Sequence, residues 1–150
     1  MNKLLPGIKL ITHVRHIDER GYFTVLTNTT HDEMRGTFRQ INIAKSRHNV
    51  LRGMHRQNQT KLVMPMVGEI FDVALDPLTG DWCGFKLDSE TALLIPPQYA
   101  HGYLVLSDWA NVQYVVDSPY NPQEEENFKW DAYGIDWPTT SAPLLSNKDR

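Results

Sequence analysis

The chain has 150 residues, 41% of them hydrophobic and 10% aromatic, enough for one compact domain with a sizeable core and too little for two. Net charge is −3, with lysine and arginine scattered among aspartate and glutamate; no basic stripe follows a nucleic-acid backbone, so nucleic acid is not an expected partner. Cys83 is the only cysteine, which excludes an internal disulfide framework and a zinc site built on several thiolates.

The opening MNKLLPGIKLITHVRH is broken by Pro6 and Gly7 and charged at Lys9 and Arg15, unlike the apolar core of a signal peptide. No stretch approaches the roughly 20 apolar residues that cross a bilayer. A cytoplasmic protein without membrane association is the expectation. Short runs rich in β-branched and aromatic residues then predict strands at Ile8–Val14, Tyr22–Leu26, Thr37–Ile43, Lys61–Val67, Glu69–Leu75, Gly84–Leu87, Ala92–Ile95, Gly102–Leu106 and Val112–Val116. Breakers fall where hairpins need them: Gly68, the Asp76–Gly80 turn, Pro96-Pro97 and Ser107-Asp108. The one helical expectation is a short turn at Thr30–Met34, with Thr30 as cap and Glu33 closing a capping box. Many short strands without alternating helices predict an all-β antiparallel sandwich or barrel. After Pro119 the pattern dissolves. Glu124, Glu125 and Glu126 read as a solvated loop, and Trp130 and Trp137 as apolar faces that pin the C-terminal tail to the barrel.

Three polar clusters interrupt these strands. The first is Arg52-Gly53-Met54-His55-Arg56-Gln57, followed by Lys61. Imidazole ionises nearest neutrality, so His55 is a candidate general base, and Arg52, Arg56 and Lys61 would make its pocket cationic, suited to a phosphate or a developing enolate. An ordinary hydrogen-bonded histidine among solvated charges fits equally well. The second runs from Pro96 through His101 to Gln113 and Tyr114. A phenol on the face shared with Val112 and Val116 is a proton donor or a core residue with a satisfied hydroxyl. The third is the C-terminal Leu144–Asp149, whose carboxylate is either solvated or folded back onto an imidazole N–H. A metal is not expected, because the position two after His55 is Gln57 and the His-x-His pair common in small barrels is missing.

In this order the clusters resemble the dTDP-4-dehydrorhamnose 3,5-epimerase family, built on the cupin jelly roll. The resemblance rests on DERGYF (18–23), RQIN (39–42), VLRGMH (50–55), KLV (61–63), VGEIFDV (67–73), IPP (95–97), AHG (100–102) and LSNKD (145–149), and it covers nearly the whole chain. It implies a cofactor-independent epimerisation at carbon 3, carbon 5 or both of a nucleotide-diphosphate 4-keto sugar. His55 is then the base, Asp149 its carboxylate partner, Tyr114 the opposing acid and Lys61 the group beside the keto oxygen. Arg52 and His101 line the sugar and diphosphate site, Gln40, Asn42, Gln57 and Tyr120 are further substrate-binding candidates, and Phe23 lies beside the nucleotide. Arg20 reaches a diphosphate, in its own subunit or in a neighbouring one, since the family is dimeric. Two departures stand out. Arg56 replaces an aromatic residue after the histidine, and Thr24-Val25-Leu26 replaces an acidic residue after Phe23, which leaves the nucleotide open. Alternatives are a cupin ketoisomerase moving the carbonyl between carbons 3 and 4, or a non-catalytic sugar-nucleotide binding module.

Overall fold

The structure, a computed structural model, describes residues 3–26 and 38–150. Among the described residues twelve strands account for almost all regular structure: β1 (Lys9–Thr12), β2 (Arg15–Asp18), β3 (Gly21–Thr24), β4 (Gln40–Arg47), β5 (Leu51–Arg56), β6 (Lys61–Val67), β7 (Ile70–Leu75), β8 (Trp82–Leu87), β9 (Thr91–Ile95), β10 (Ala100–Val105), β11 (Trp109–Val116) and β12 (Glu126–Asn127). Two five-stranded antiparallel sheets result, in the orders β1-β9-β6-β11-β4 and β12-β5-β10-β7-β8, with β2-β3 as a separate hairpin. The arrangement is the jelly roll expected of the sequence. The turn expected at Thr30–Met34 lies outside the described residues.

Alternation decides which side chains face inward. Edge strand β4 alternates half-buried and exposed residues along most of its length, turning Gln40, Asn42, Ala44 and Ser46 inward and Ile41, Ile43, Lys45 and Arg47 outward. The core between the sheets joins Val63, Leu93, Ile95 and Val112 of the first to Ile70, Ala74, Tyr103 and Val105 of the second. At about 1.5–3 kcal/mol for each fully buried large side chain, this layer dominates the stability of the fold.

Strand β5 was not among the expected strands. Its sequence, LRGMHR, carries three cationic or ionisable groups and a glycine, so no apolar period marks it. It is held by close approach to β10, where Gly53 faces Gly102. A Cβ on Gly53 would stand 2.5 Å from the Gly102 Cα, and Gly53 has a φ of 141°, which few side chains tolerate. The ladder shifts register at this point, between His101 and Tyr103, which re-aims the following side chains.

The C-terminal tail packs Phe128, Tyr133, Ile135 and Trp137 against Met54, Val73, Leu75 and Trp82 on the outer face of the second sheet. Trp137 pins it as expected, edge-on to Phe71 at 6.0 Å. Trp130 contributes its carbonyl, which accepts the Trp137 Nε1–H at 2.9 Å. The chain then returns to β5. Leu51 N donates to Leu144 O at 3.0 Å and Leu144 N to Asn49 O at 2.8 Å, which sets a 3-10 turn at Asn147–Asp149 against the functional strand.

Candidate active site

A cavity of about 760 Å³ opens between the two sheets. The second sheet supplies Arg52, His55, His101 and Tyr103, the first Gln40, Asn42, Lys61 and Tyr114, and the segment after β11 adds Tyr120 and Glu125. Asp149 closes one wall from the C-terminal turn. Of the residues singled out from sequence, Gln40, Asn42, Arg52, His55, Gln57, Lys61, His101, Tyr114, Tyr120 and Asp149 therefore meet in one place. Arg20 and Phe23 do not: they sit exposed on the β2-β3 hairpin, where Arg20 pairs with Asp18. Arg56 also departs from the expected cationic pocket. Strand alternation turns it away from His55 to a shallower hollow, where it pairs with Glu126 and donates to the Gln98 carbonyl at 3.3 Å.

His55 is engaged at both ring nitrogens. Its Nδ1 lies 2.5 Å from the Asn127 amide oxygen, across the β5-β12 pair. An amide oxygen only accepts, so Nδ1 carries the ring proton and Nε2 the lone pair. Asp149 Oδ1 stands 2.9 Å from Nε2, yet has no aligned hydrogen bond among the described residues. A carboxylate so placed stabilises the protonated ring by charge. Burial lowers the His55 pKa below its ordinary value, and this outweighs the opposing influence of Asn127, Asp149 and Glu125. The residue is therefore a neutral imidazole at neutral pH, with a carboxylate waiting for its protonated form.

Lys61 begins β6 and is 9% exposed. Desolvation pushes its pKa down to about 8 against the pull of Asp72 and Glu125. The distance from 10.5 to about 8 corresponds to a cost of roughly 3 kcal/mol for holding a cation there. An apolar residue would fit the same strand without that cost, so the lysine is explained by chemistry rather than by packing. His101 is fixed by the fully buried Asp72, whose Oδ1 lies 2.5 Å from the imidazole Nε2. Arg52 Nε donates to Ser46 Oγ at 2.9 Å.

The loop after β11 is tied down by amides. Gln57 donates to the Asn121 carbonyl at 3.0 Å and accepts its N–H at 3.1 Å, while Gln40 Oε1 accepts the Tyr120 N–H at 2.9 Å. Gln40 also donates to Asn42 Oδ1 at 2.7 Å. These amides are thus committed to protein partners. The loop they hold brings Glu125 into the cavity wall, where it accepts from Tyr120 Oη at 2.7 Å and Lys148 Nζ at 2.8 Å, 3.6 Å from His55 Nδ1. Glu125 had been expected in a solvated loop. Its side chain is 12% exposed, because only one of three successive glutamates points inward.

Glu125, Asn127, Asp72, Lys148 and Tyr103 were not foreseen as site residues. Asp72 carries a usable signal, a lone carboxylate inside the apolar strand IFDVAL. The others carry none, since an acidic run and a lone asparagine read as surface. Among the described residues no group of three or more His, Cys, Asp or Glu stands where it would hold a metal ion, and no helix is long and apolar enough to cross a membrane.

A family model described as dTDP-4-dehydrorhamnose 3,5-epimerase matches residues 2–150. The enzyme of that name from Salmonella typhimurium is 43% identical over 162 residues, covering 97% of this chain and 88% of its own. Among solved structures, dTDP-6-deoxy-D-glucose-3,5-epimerase from Legionella pneumophila, in complex with dTDP-4-keto-L-rhamnose, superposes with a TM-score of 0.90 at 34% identity, covering 99% of this chain and 88% of that one. A 3'-monoepimerase from Streptomyces bikiniensis, in complex with dTDP-quinovose, superposes with a TM-score of 0.89 at 28% identity, covering 99% and 84% respectively.

Proposed function

The chain belongs to the dTDP-4-dehydrorhamnose 3,5-epimerase family, and from that membership we propose that it is an isomerase inverting carbon 3, carbon 5 or both of a nucleoside-diphosphate 4-keto sugar. The observation that carries this reading is a half-buried His55, its pKa lowered by desolvation, sharing one cavity with the buried Lys61 and with Tyr114, which enters from the opposite sheet. Binding alone needs no such pairing of base, cation and acid.

A keto group at carbon 4 acidifies the hydrogens at carbons 3 and 5, because the carbanion delocalises into an enolate. His55 takes the proton, and the Asp149 carboxylate, 2.9 Å from Nε2, balances the positive charge of the imidazolium so formed. The Lys61 ammonium holds the growing negative charge on the enolate oxygen, in a site dry enough for that attraction to count. Tyr114 returns a proton to the opposite face, which inverts the carbon, and solvent resets both groups. Only protons move, so no cofactor is consumed. Arg52 lines the cavity and suits the diphosphate, with His101, Tyr120 and Asn42 around the sugar. A single domain spanning 1–150 carries the activity.

A homodimer goes with this reading. Edge strand β4 exposes Ile41 and Ile43, and the β2-β3 hairpin exposes Ile17 and Phe23, apolar surface that a second copy would cover and that would carry Arg20 and Phe23 to a partner's cavity. Light scattering reads that assembly. A polyanionic substrate does not cross a bilayer unaided, which supports a reaction in the compartment where the substrate is made, the cytoplasm on this reading.

The test is incubation with 4-keto-6-deoxyhexoses carried on several nucleoside diphosphates, dTDP first, in deuterated water. Deuterium at carbon 3, carbon 5 or both, with an inverted centre by NMR, supports the reading. A shifted carbonyl would identify a ketoisomerase, and no incorporation with any nucleotide would contradict epimerisation.

A further inference from the structure

The C-terminal turn that carries Asp149 has no core of its own. From Pro138 to Lys148 no residue is buried, and Asp149 is the first after Ile135 that is. The apolar packing of the tail ends at Trp137. Hydrogen bonds, and not apolar burial, therefore decide where the turn stands. Upstream of it they converge on Asn49, in the loop between β4 and β5. The Asn49 Nδ2 donates one proton to Ser141 Oγ at 3.0 Å and the other to the Ala142 carbonyl at 2.9 Å. Its Oδ1 lies 2.8 Å from Thr139 Oγ1, which shares a single proton between that oxygen and the Ser141 carbonyl. The Asn49 carbonyl accepts the Leu144 N–H.

Asn49 is itself fixed from the opposite side. Its N–H donates to the Val105 carbonyl at 3.0 Å, at the end of β10. Its φ of 62° lies in the left-handed region, which asparagine enters more readily than most residues. A glycine would meet that backbone need equally well, so the choice of asparagine is explained by the side chain, which is spent on the tail. Leu144 next bonds to Leu51 on β5, and five residues later Asp149 reaches the same strand. Its Oδ2 accepts the Gly53 N–H at 3.4 Å while Oδ1 faces His55. The turn's other tie, Lys148 to Glu125, runs through a half-exposed lysine and is the weaker hold. We infer that Asn49 is a positioning residue for the reaction, clamping Thr139–Leu144 so that the Asp149 carboxylate stands against the His55 ring; this rests on the functional reading above.

Asn49→Gly tests the clamp, because it keeps the left-handed backbone and deletes only the side-chain ties. Turnover of a nucleoside-diphosphate 4-keto-6-deoxyhexose should fall roughly tenfold in kcat with KM nearly unchanged, since the carboxylate moves and the substrate contacts do not. A double-mutant cycle with Asp149→Asn separates positioning from plain support of the fold. In the Asp149→Asn background, Asn49→Gly should cost less than about twofold, because the group that it places is already gone. Thr139→Val cuts the clamp from the tail side and leaves the loop untouched, so it should show a smaller kcat loss with the same dependence on Asp149. Circular dichroism and the unfolding temperature confirm that each variant is folded when measured. Equal losses from Asn49→Gly in both backgrounds, a loss confined to KM, or unchanged kcat in both single variants would overturn the assignment. The absence of turnover by the native protein would instead remove the functional reading on which it rests.

Discussion

The Nδ1–H of His55 is held by Asn127 Oδ1 at 2.5 Å, so it is the asparagine on β12, and not Asp149, that fixes the imidazole tautomer. Asp149 stands on the other nitrogen, at 2.9 Å from Nε2. The two residues therefore act at different moments, one before proton abstraction and one after it. Replacing Asn127 by Ala should lower kcat about tenfold with little change in KM, by releasing the ring. Asp149→Asn should cost roughly a hundredfold or more, because the protonated imidazole loses its counter-charge. Steady-state kinetics of both variants check the order; an Asn127→Ala loss exceeding that of Asp149→Asn would reverse the assignment.

The pH profile of kcat/KM should be bell-shaped, with both limbs set by burial. His55 must be neutral to act, and its pKa is lowered, so the acidic limb should fall below the ordinary histidine value of about 6.5. Lys61 must be charged to hold the enolate, so activity should decline as pH rises through about 8. Lys61→Arg should move the alkaline limb upward while reducing the maximum rate, since guanidinium stays charged. An alkaline limb unmoved in that variant would assign it to another group.

Glu125 lies between the base and the C-terminal turn, bonded to Lys148 next to Asp149. Lys148 is half-exposed, and such ion pairs contribute at most about 1 kcal/mol, so Glu125→Gln should hardly change the unfolding temperature. It should lower kcat/KM about tenfold, because the turn that presents Asp149 loses its tie. Thermal unfolding measured beside kinetics separates these effects. A large loss of stability with kinetics intact would make Glu125 a structural residue only.

Gly102 tests how β5 is held. An added methyl would meet Met54 Sδ at 2.6 Å and the Arg52 carbonyl at 2.9 Å, one of them backbone that has no room to yield. Gly102→Ala should destabilise by about 1–3 kcal/mol and disturb His55, two residues beyond Gly53. Denaturant midpoints check the first part and turnover the second. A variant as stable and as active as the native chain would mean that the two strands can separate freely here.

The sheets were legible where burial dictates pattern. Strands β6, β7, β9 and β10 read as apolar runs between breakers because both of their faces are covered. Strand β4 was expected to stop at Ile43 but continues to Arg47, since Ala44-Lys45-Ser46-Arg47 alternates only weakly. Strand β5 was illegible because it carries the chemistry: Arg52, Gly53 and His55 are chosen for the cavity and for the close approach to β10, against local preference. The same reason divides the site. Residues in recognisable segments, such as His55, Lys61, His101 and Asp149, could be named in advance. Glu125 and Asn127 reach His55 only through the loop that Gln40 and Gln57 tie down, a tertiary arrangement with no local signature.

The central claim is that His55 removes the carbon-bound proton. Deuterium wash-in from solvent, followed by NMR on a nucleoside-diphosphate 4-keto-6-deoxyhexose, measures that step without requiring net inversion. The native chain should exchange carbon 3, carbon 5 or both, and His55→Asn, with its fold verified by circular dichroism, should exchange at least roughly a hundredfold more slowly. Exchange in His55→Asn at the native rate would contradict the mechanism, whatever product the enzyme forms.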